Sequence, residues 1–391
     1  MTRTVLEYLL LLPAAAPICY YGLSIYSSWR FFRSSAKKQA RSGPEFLPPV
    51  SNIKPIRGLD PDAYENFASL CRQDYPDYEL LFCLGPDDTS VLPILEKLTN
   101  DFPERRIRIL IGSRRSGSND KVAKLARLVS EARHEVIVIN DSDVRVRNDY
   151  LRTIVAPLAK TGIGAVTCLY VSAGDRTLAD HLQTMGMLSD FFPSILVARS
   201  LDGVKFALGT TIATTRSHLA QFGGYESLEN RPADDLLVGR LIAENGHRVE
   251  LLPYAIETVP DYGSIAELWH KRLRWTVVMR HLRPWGHLGL IFTFGLPWLI
   301  VLLLVTSSWK LSLVYFAVYT MLRILMLLVV GGFGLRRKQL WKRVPLIFLW
   351  DAFSFALWAA SFGCTSIRWR SGEYYIRNGT LVPVIAKSAA E

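Results

Sequence analysis

The sequence predicts an α/β domain built on a parallel sheet, with one membrane helix before it and about three after it, and three observations predict this. Between Val50 and Pro260, short β-branched runs alternate with helical ones, the pattern of parallel strands joined by helices on the faces of a sheet. The most apolar residues gather in blocks at the two ends of the chain. The third observation is compositional: 46 Lys+Arg against 35 Asp+Glu leave a charge of +11 in 391 residues that are half apolar and 21% charged. Such a chain is neither disordered nor of low complexity.

In chain order, the first element is the apolar run 5–29, broken only by Glu7 and two prolines. A run of about 20 residues spans the hydrocarbon of a bilayer. Arg30, Arg33, Lys37, Lys38 and Arg41 come directly after it, which reads as an uncleaved anchor and puts the adjoining α/β domain in the cytosol. The anchor is set at 1–30, a basic juxtamembrane linker at 31–49, and the α/β domain at 50–262. Inside that domain the pattern predicts strands at 78–84, 106–111 and 135–140 and helices at 91–102 and 121–132. A cationic and aromatic segment, 263–287, reads as an interfacial helix. Beyond it lie membrane segments at 288–366, in apolar runs 288–308, 311–334 and 345–364, with a cytosolic tail at 367–391. Three full crossings would leave Arg368, Arg370 and Arg377 outside, against their charge, so one segment is expected to be re-entrant. Arg323 and Asp351 lie within these runs, where a charge faces a protein interior or a polar cavity, and a path for a lipid headgroup is one reading of them. The five cysteines form no CxxC pair, so no zinc site and no disulfide framework are expected.

In parallel sheets ligands bind at the carboxyl ends of the strands. There the strand Val136–Ile139 runs into Asn140-Asp141-Ser142-Asp143. Two carboxylates at i and i+2 of extended chain point the same way and can hold a divalent cation that also bridges a diphosphate. Asp87-Asp88 come after an earlier strand and Asp60 comes after Lys54-Pro55-Ile56-Arg57-Gly58-Leu59, so three successive strand ends carry acids. Taken singly, each is equally well a turn or capping carboxylate. Asp234-Asp235 open a helix through Leu236 to Ala243, and a carboxylate there could take a proton from an acceptor hydroxyl.

Together these motifs resemble the GT-A, family-2-like membrane glycosyltransferases, and among them the ceramide glucosyltransferase family (family 21) with its bacterial relatives, the hopanoid-biosynthesis glycosyltransferases. The resemblance runs from Lys54 to Arg377. It rests on Lys54 to Pro61, on Gly117-Ser118-Asn119-Asp120-Lys121, and on Asp141 to Val146. It continues through Gly203-Val204-Lys205 with Gly209, Ala233-Asp234-Asp235, Arg274-Trp275, and Trp369-Arg370-Ser371-Gly372-Glu373-Tyr374. It implies a GT-A (Rossmann-like nucleotide-sugar) catalytic domain. Asp60, Asp87 and Asp88 would hold the uridine end, with Asn119 and Lys121 nearby. Asp141 and Asp143 would position the nucleotide sugar, Asp143 mainly through Mg2+ or Mn2+. Asp235 would be the general base with Asp234 as its acidic neighbour, Arg274 would face the departing diphosphate, and Trp275 would pack against sugar or acceptor. Two positions depart from the family: Lys271 stands where Gln or Arg is usual, and Phe192-Pro193 where the animal ceramide enzymes have His-Pro.

The expectation is therefore an inverting UDP-sugar-dependent hexosyltransferase at the cytosolic face of a cell membrane. Its partners would be a UDP-sugar donor, a membrane lipid acceptor and the bilayer, with no nucleic acid. The acceptor expected first is a hopanoid polyol such as bacteriohopanetetrol receiving N-acetylglucosamine, and the alternative is ceramide receiving glucose. A processive polysaccharide synthase would need more membrane helices, and an inactive nucleotide-sugar-binding protein would be expected to relax Asp143, Asp235 and Arg274 first.

Overall fold

A computed structural model describes residues 2–39, 46–113, 117–174, 176–259, 263–306, 308–369 and 372–384; within the first helix, side chains are described from 10 to 34. Arg41, Arg370 and Ser371 lie outside the described residues, as do the side chains of Lys37 and Lys38. The chain divides into two compact units, one built on a sheet and one helical.

Eight strands make the sheet: β1 (Val50–Pro55), β2 (Tyr78–Leu84), β3 (Arg106–Ile111), β4 (Val136–Asn140), β5 (Val144–Arg145), β6 (Ile163–Ser172), β7 (Thr211–Thr215) and β8 (Arg248–Thr258), in the order β3-β2-β1-β4-β7-β6-β8-β5. β1, β2 and β4 are buried along their whole length, which is why they read as near-continuous apolar runs rather than alternating ones. On one face Val50, Leu80, Phe82 and Val138 pack with Phe67, Leu70, Leu95 and Leu98 from helices Ala63–Cys71 and Leu92–Asp101. On the other, Ile53, Leu81, Ile137 and Ile139 pack with Val122, Leu125 and Leu128 of helix Asp120–Glu131 and with Val238 and Ile242 of helix Asp234–Glu244. The result is a three-layer α/β sandwich.

The sheet is mixed, not parallel throughout. β1, β2, β3 and β4 are mutually parallel and β6 pairs parallel with β8, but β7 runs antiparallel to both β4 and β6, and β5 antiparallel to β8. The cause is the connection: the chain leaves β6 at the edge where β4 also ends and re-enters β7 from that same edge, so β7 must run back. A periodicity reading cannot see this.

Three helices of the helical unit are long and apolar enough to cross a membrane, Leu10–Ser34, Trp309–Gly334 and Leu346–Gly363, or up to four among the described residues if the pair Pro284–Thr293 and Gly295–Val305 counts as one. That pair bends by 57° where the sequence expects a run at 288–308, so the re-entrant segment or broken span is located there. One boundary differs from the expected 50–262. Helices Leu178–Gly186 and Phe192–Asp202 group with the membrane helices, because their apolar side chains, such as Leu182, Met185 and Leu196, are buried there; an added Cβ on Gly186 would stand 2.2 Å from the Trp350 ring.

Candidate active site

β1, β2 and β4 end on one edge of the sheet, and their last residues deliver the acids. Asp141 and Asp143 lie just after β4 in a short turn whose backbone is gripped from below. The Lys54 ammonium, at the end of β1 and 1% exposed, donates to the carbonyl of Asp141 at 2.6 Å and of Ser142 at 3.4 Å. Burial pushes Lys54 down to about 8, against the pull of the carboxylates of Asp143, Asp60 and Asp141. From the other side the carbonyl of Asp143 accepts from Val259 N at 2.9 Å. The two carboxylates are thus presented by a fixed backbone.

Asp88 is engaged by the protein itself. Its oxygens accept from Gly58 N and Gly85 N, both at 2.9 Å, and from the buried Lys124 ammonium at 3.2 Å. Burial works against its charge, but these donors outweigh it and hold its carboxyl below the usual range. Asp88 thus ties the loop after β1 to the loop after β2. Asp87 is exposed and Asp60 half-buried, which leaves these two better placed to meet a ligand.

Asn119 also holds structure. It caps helix Asp120–Glu131 by accepting from Val122 N, and its amide donates to the carbonyl of Arg231 at 2.9 Å while its backbone N–H donates to Glu229. This clamps the segment leading into Asp234. Gly117 is required here, since a Cβ would fall 2.7 Å from the Glu229 carbonyl oxygen. The Lys121 ammonium, two residues after Asn119, stands 2.7 Å from Asp141 Oδ1 and 3.4 Å from Asp234 Oδ2. One cation therefore joins the two acidic motifs, which lie 93 positions apart in the sequence. Burial opposes its charge, yet Asp141, Asp234 and Asp235 together hold Lys121 well above its ordinary value.

Asp234 and Asp235 are the first two residues of their helix, where the helix dipole favours negative charge. Ala233 before them sits at φ 57°, ψ 55°, a left-handed conformation that costs a non-glycine residue about 1 kcal/mol or more. Asp235 is half-buried, and loss of solvation, followed by the charge of Asp234, pushes it up to about 6 against the pull of Lys121. A carboxylate poised near neutrality suits proton abstraction. Gly239, whose added Cβ would lie 2.2 Å from the backbone at Phe206 and Ala207, lets the helix seat against that segment. Gly209, just beyond it, faces Asp235 directly: a Cβ there would lie 2.7 Å from Oδ2. Gly209→Ala is accordingly expected to displace the Asp235 carboxylate and lower turnover at least about tenfold, since a shift near 1 Å is that costly, with little change in donor KM; steady-state kinetics check it.

Among the described residues no three His, Cys, Asp or Glu side chains form a metal cage. Asp141 and Asp143 nonetheless fit Mg2+ or Mn2+, hard ions held through one or two carboxylates while diphosphate oxygens and water complete the shell. Lys54, Lys124 and Gly209 carry parts of the site to which sequence reasoning gives no role. The available signal is a lysine at the end of an apolar strand and another on a helix otherwise lined by Val122, Leu125 and Leu128. Arg274 and Trp275 belong to helix Ile265–Leu282 of the helical unit. There Arg274 lies over the Trp369 ring at 5.4 Å, and Lys271 and Arg272 lie over Trp275 at 5.8 and 5.2 Å.

The sequence model of glycosyl transferase family 21 matches residues 9–382. Ceramide glucosyltransferase 3 of Caenorhabditis elegans is 23% identical over 308 residues, 74% of this chain and 66% of that protein. Ceramide glucosyltransferase 1 of the same organism is 24% identical over 264 residues, 65% of this chain and 56% of that protein. The chain spans just under two thirds of the length of the first of these relatives and less of the second. Among solved structures, mannosyltransferase PcManGT from Pyrobaculum calidifontis in complex with GDP-Man and Mn2+ aligns with 91% of this chain and 99% of its own, at 18% identity and a TM-score of 0.54. That likeness shows the fold, which is GT-A-like as the sequence predicts.

Proposed function

The chain belongs to glycosyl transferase family 21, and from that premise we propose that it is an inverting, divalent-cation-dependent transferase moving a sugar from a UDP-sugar to a hydroxyl of a membrane lipid. The observation that carries the reading is the meeting of Asp141, Lys121, Asp234 and Asp235 at the carboxyl edge of the sheet. It supplies, on one edge, carboxylates for the donor side and a raised carboxyl for the acceptor side. Asp235 takes the acceptor proton as the hydroxyl oxygen attacks C1 of the sugar, and a single displacement inverts that centre. Lys121 keeps Asp234 and Asp141 from repelling one another, and Lys54 holds the turn that presents Asp141 and Asp143. A divalent cation held by Asp141 and Asp143 would supply positive charge beside the diphosphate. Arg274 as a second cation for the leaving group, and Trp275 as a packing surface for sugar or acceptor, rest on the family resemblance.

The named relatives are ceramide glucosyltransferases, which supports glucose and ceramide ahead of N-acetylglucosamine and a hopanoid polyol, the reverse of the sequence expectation. The departure at Phe192 loses force as well, because Phe192 is 0% exposed and acts through packing. The apolar helices fit a membrane protein, and Arg30 and Arg33, at the C-terminal end of the first of them, support a catalytic unit on the cytosolic side.

The test is the full chain in nanodiscs with Mn2+, UDP-glucose or UDP-N-acetylglucosamine, and either ceramide or a hopanoid polyol, with products read by mass spectrometry. Glucosylceramide that disappears on adding EDTA is the expected result. A sugar polymer, or product formed with the original anomeric configuration, would overturn it.

A further inference from the structure

The helical unit contains a half-open cavity of about 200 Å3 whose walls differ in character. One wall is ionic. Arg323, 1% exposed, donates from Nη1 to Asp190 Oδ1 at 2.9 Å and to the carbonyl of Ser189 at 2.7 Å, and from Nε to Asp351 Oδ2 at 3.1 Å. Tyr319 closes on Asp351 from behind. Asp190 stands on a π-helical turn, Met187–Phe191, with about a third of its side chain exposed, and its second oxygen accepts from Trp350 Nε1 and from Ser354 at 3.5 Å. The facing wall, including Leu290, Phe294, Leu296 and Leu357, is apolar.

Two features mark this as more than a packing defect. Ion pairs between transmembrane helices are costly to place and are usually retained where they serve a polar site. In addition, the helix bent between Thr293 and Gly295 lines the cavity, and Tyr21 bridges the break, donating to Thr293 O at 2.9 Å and accepting from Gly295 N at 2.8 Å. Irregular backbone is tolerated at membrane depth where it is covered by protein or borders a cavity.

The charges choose the occupant. Asp190 and Asp351 are balanced by Arg323 and Arg272, all of which line the cavity, so no net charge asks for a counter-ion. A phosphate entering the cavity beside Asp190, whose side chain is about a third exposed, would meet its carboxylate, whereas a hydroxyl would donate to it. We propose that this cavity binds the head of an uncharged, hydroxyl-bearing amphiphile, its hydroxyl on Asp190 and Ser354 and its hydrocarbon against Phe294 and Leu296. The site rests on the lipid-acceptor reading for its role, though not for its binding chemistry.

The test uses the full chain in nanodiscs with two diazirine probes of equal chain length, a ceramide and a phosphatidic acid, with cross-links mapped by mass spectrometry. Labelling of segments 290–297 and 350–358 by the ceramide probe, at least fivefold above the phosphatidic acid probe, is expected. Ser354→Phe, which fills the cavity, should lower that labelling at least fivefold and raise the KM for acceptor about tenfold. Asp190→Asn, which leaves the cavity with one excess positive charge, should shift labelling toward phosphatidic acid. Equal labelling by both probes, or ceramide labelling only outside these segments, overturns the proposal even if transfer is seen. Selective labelling without sugar transfer to any acceptor would uphold the cavity and overturn the transferase reading.

Discussion

Asp235→Asn is expected to lower turnover by roughly 10^3-fold, the scale of a lost general base, while UDP-sugar affinity is largely kept. The pH dependence should identify the group. Asp235 must be ionised to accept a proton and is pushed up to about 6, so the parent rate should fall about tenfold per pH unit below that value, and the residual rate of the variant should not. Stability should move the opposite way. An acid whose folded-state value is raised favours folding most below the ordinary carboxylate range and loses that advantage as pH climbs to about 6. The neutral amide escapes the loss, so the variant should melt higher than the parent at pH 7, and the difference should vanish near pH 4. A merely structural Asp235 would give a variant that melts lower. Thermal melts at the two pH values, run beside kinetics, separate the roles.

Lys121→Met is expected to have the second largest effect, and chiefly on the fold. Lys121 is 17% exposed in its side chain and stands between Asp141 and Asp234, themselves 31% and 10% exposed. Removing one partner of such a buried arrangement leaves charge uncompensated at a cost of about 3–5 kcal/mol, discounted here because Asp141 retains access to water. Lys121 is held above its ordinary value, so its contribution is present at every pH below that value and is lost only in strong alkali. The deficit in the variant should therefore be flat from pH 7 to 9. Chemical denaturation across pH checks this. Donor affinity should fall as well, because Asp141 loses the ammonium that orients it.

Much of the sheet unit is legible in the sequence because the relevant forces are local. The runs at 106–111 and 136–140 are rich in β-branched residues and the run at 78–84 in leucine and aromatics, each is followed by turn residues, and the helices at 92–101 and 120–131 carry a repeating apolar face. The direction of β7 is not legible, since it depends on which edge a distant segment returns to. β5, two residues long, has no pattern of its own. The acids of the site can be picked out by type and position at strand ends, but the division of labour among them cannot. Asp88 and Asp60 look alike as residues in turns; only the convergence of Gly58, Gly85 and Lys124 shows that one of them holds the loops. The family resemblance sets Lys121 near the uridine end with Asn119, and its ion pairs with Asp141 and Asp234, from the first turn of a helix, are not legible in the sequence. Gly209 belongs to a motif, but its reason is the nearness of a carboxylate 26 residues later.

The place of β7 bears on how the chain is made. In the sheet it lies between β4 and β6, yet it is synthesised after both and after helices Leu178–Gly186 and Phe192–Asp202, which belong to the other unit. When β6 leaves the ribosome, the strands before it form a four-stranded half sheet that offers β4 as an open edge, and β6 itself has no neighbour to pair with. Domains generally fold as units as they emerge, and here the central seam of the sheet must wait for about 40 more residues. An exposed parallel edge is prone to pairing with other chains, so the nascent protein should be most vulnerable to aggregation in that interval. A ribosome stalled just before Thr211 would hold it there, and one stalled well past Arg248, with that strand clear of the exit tunnel, would release it.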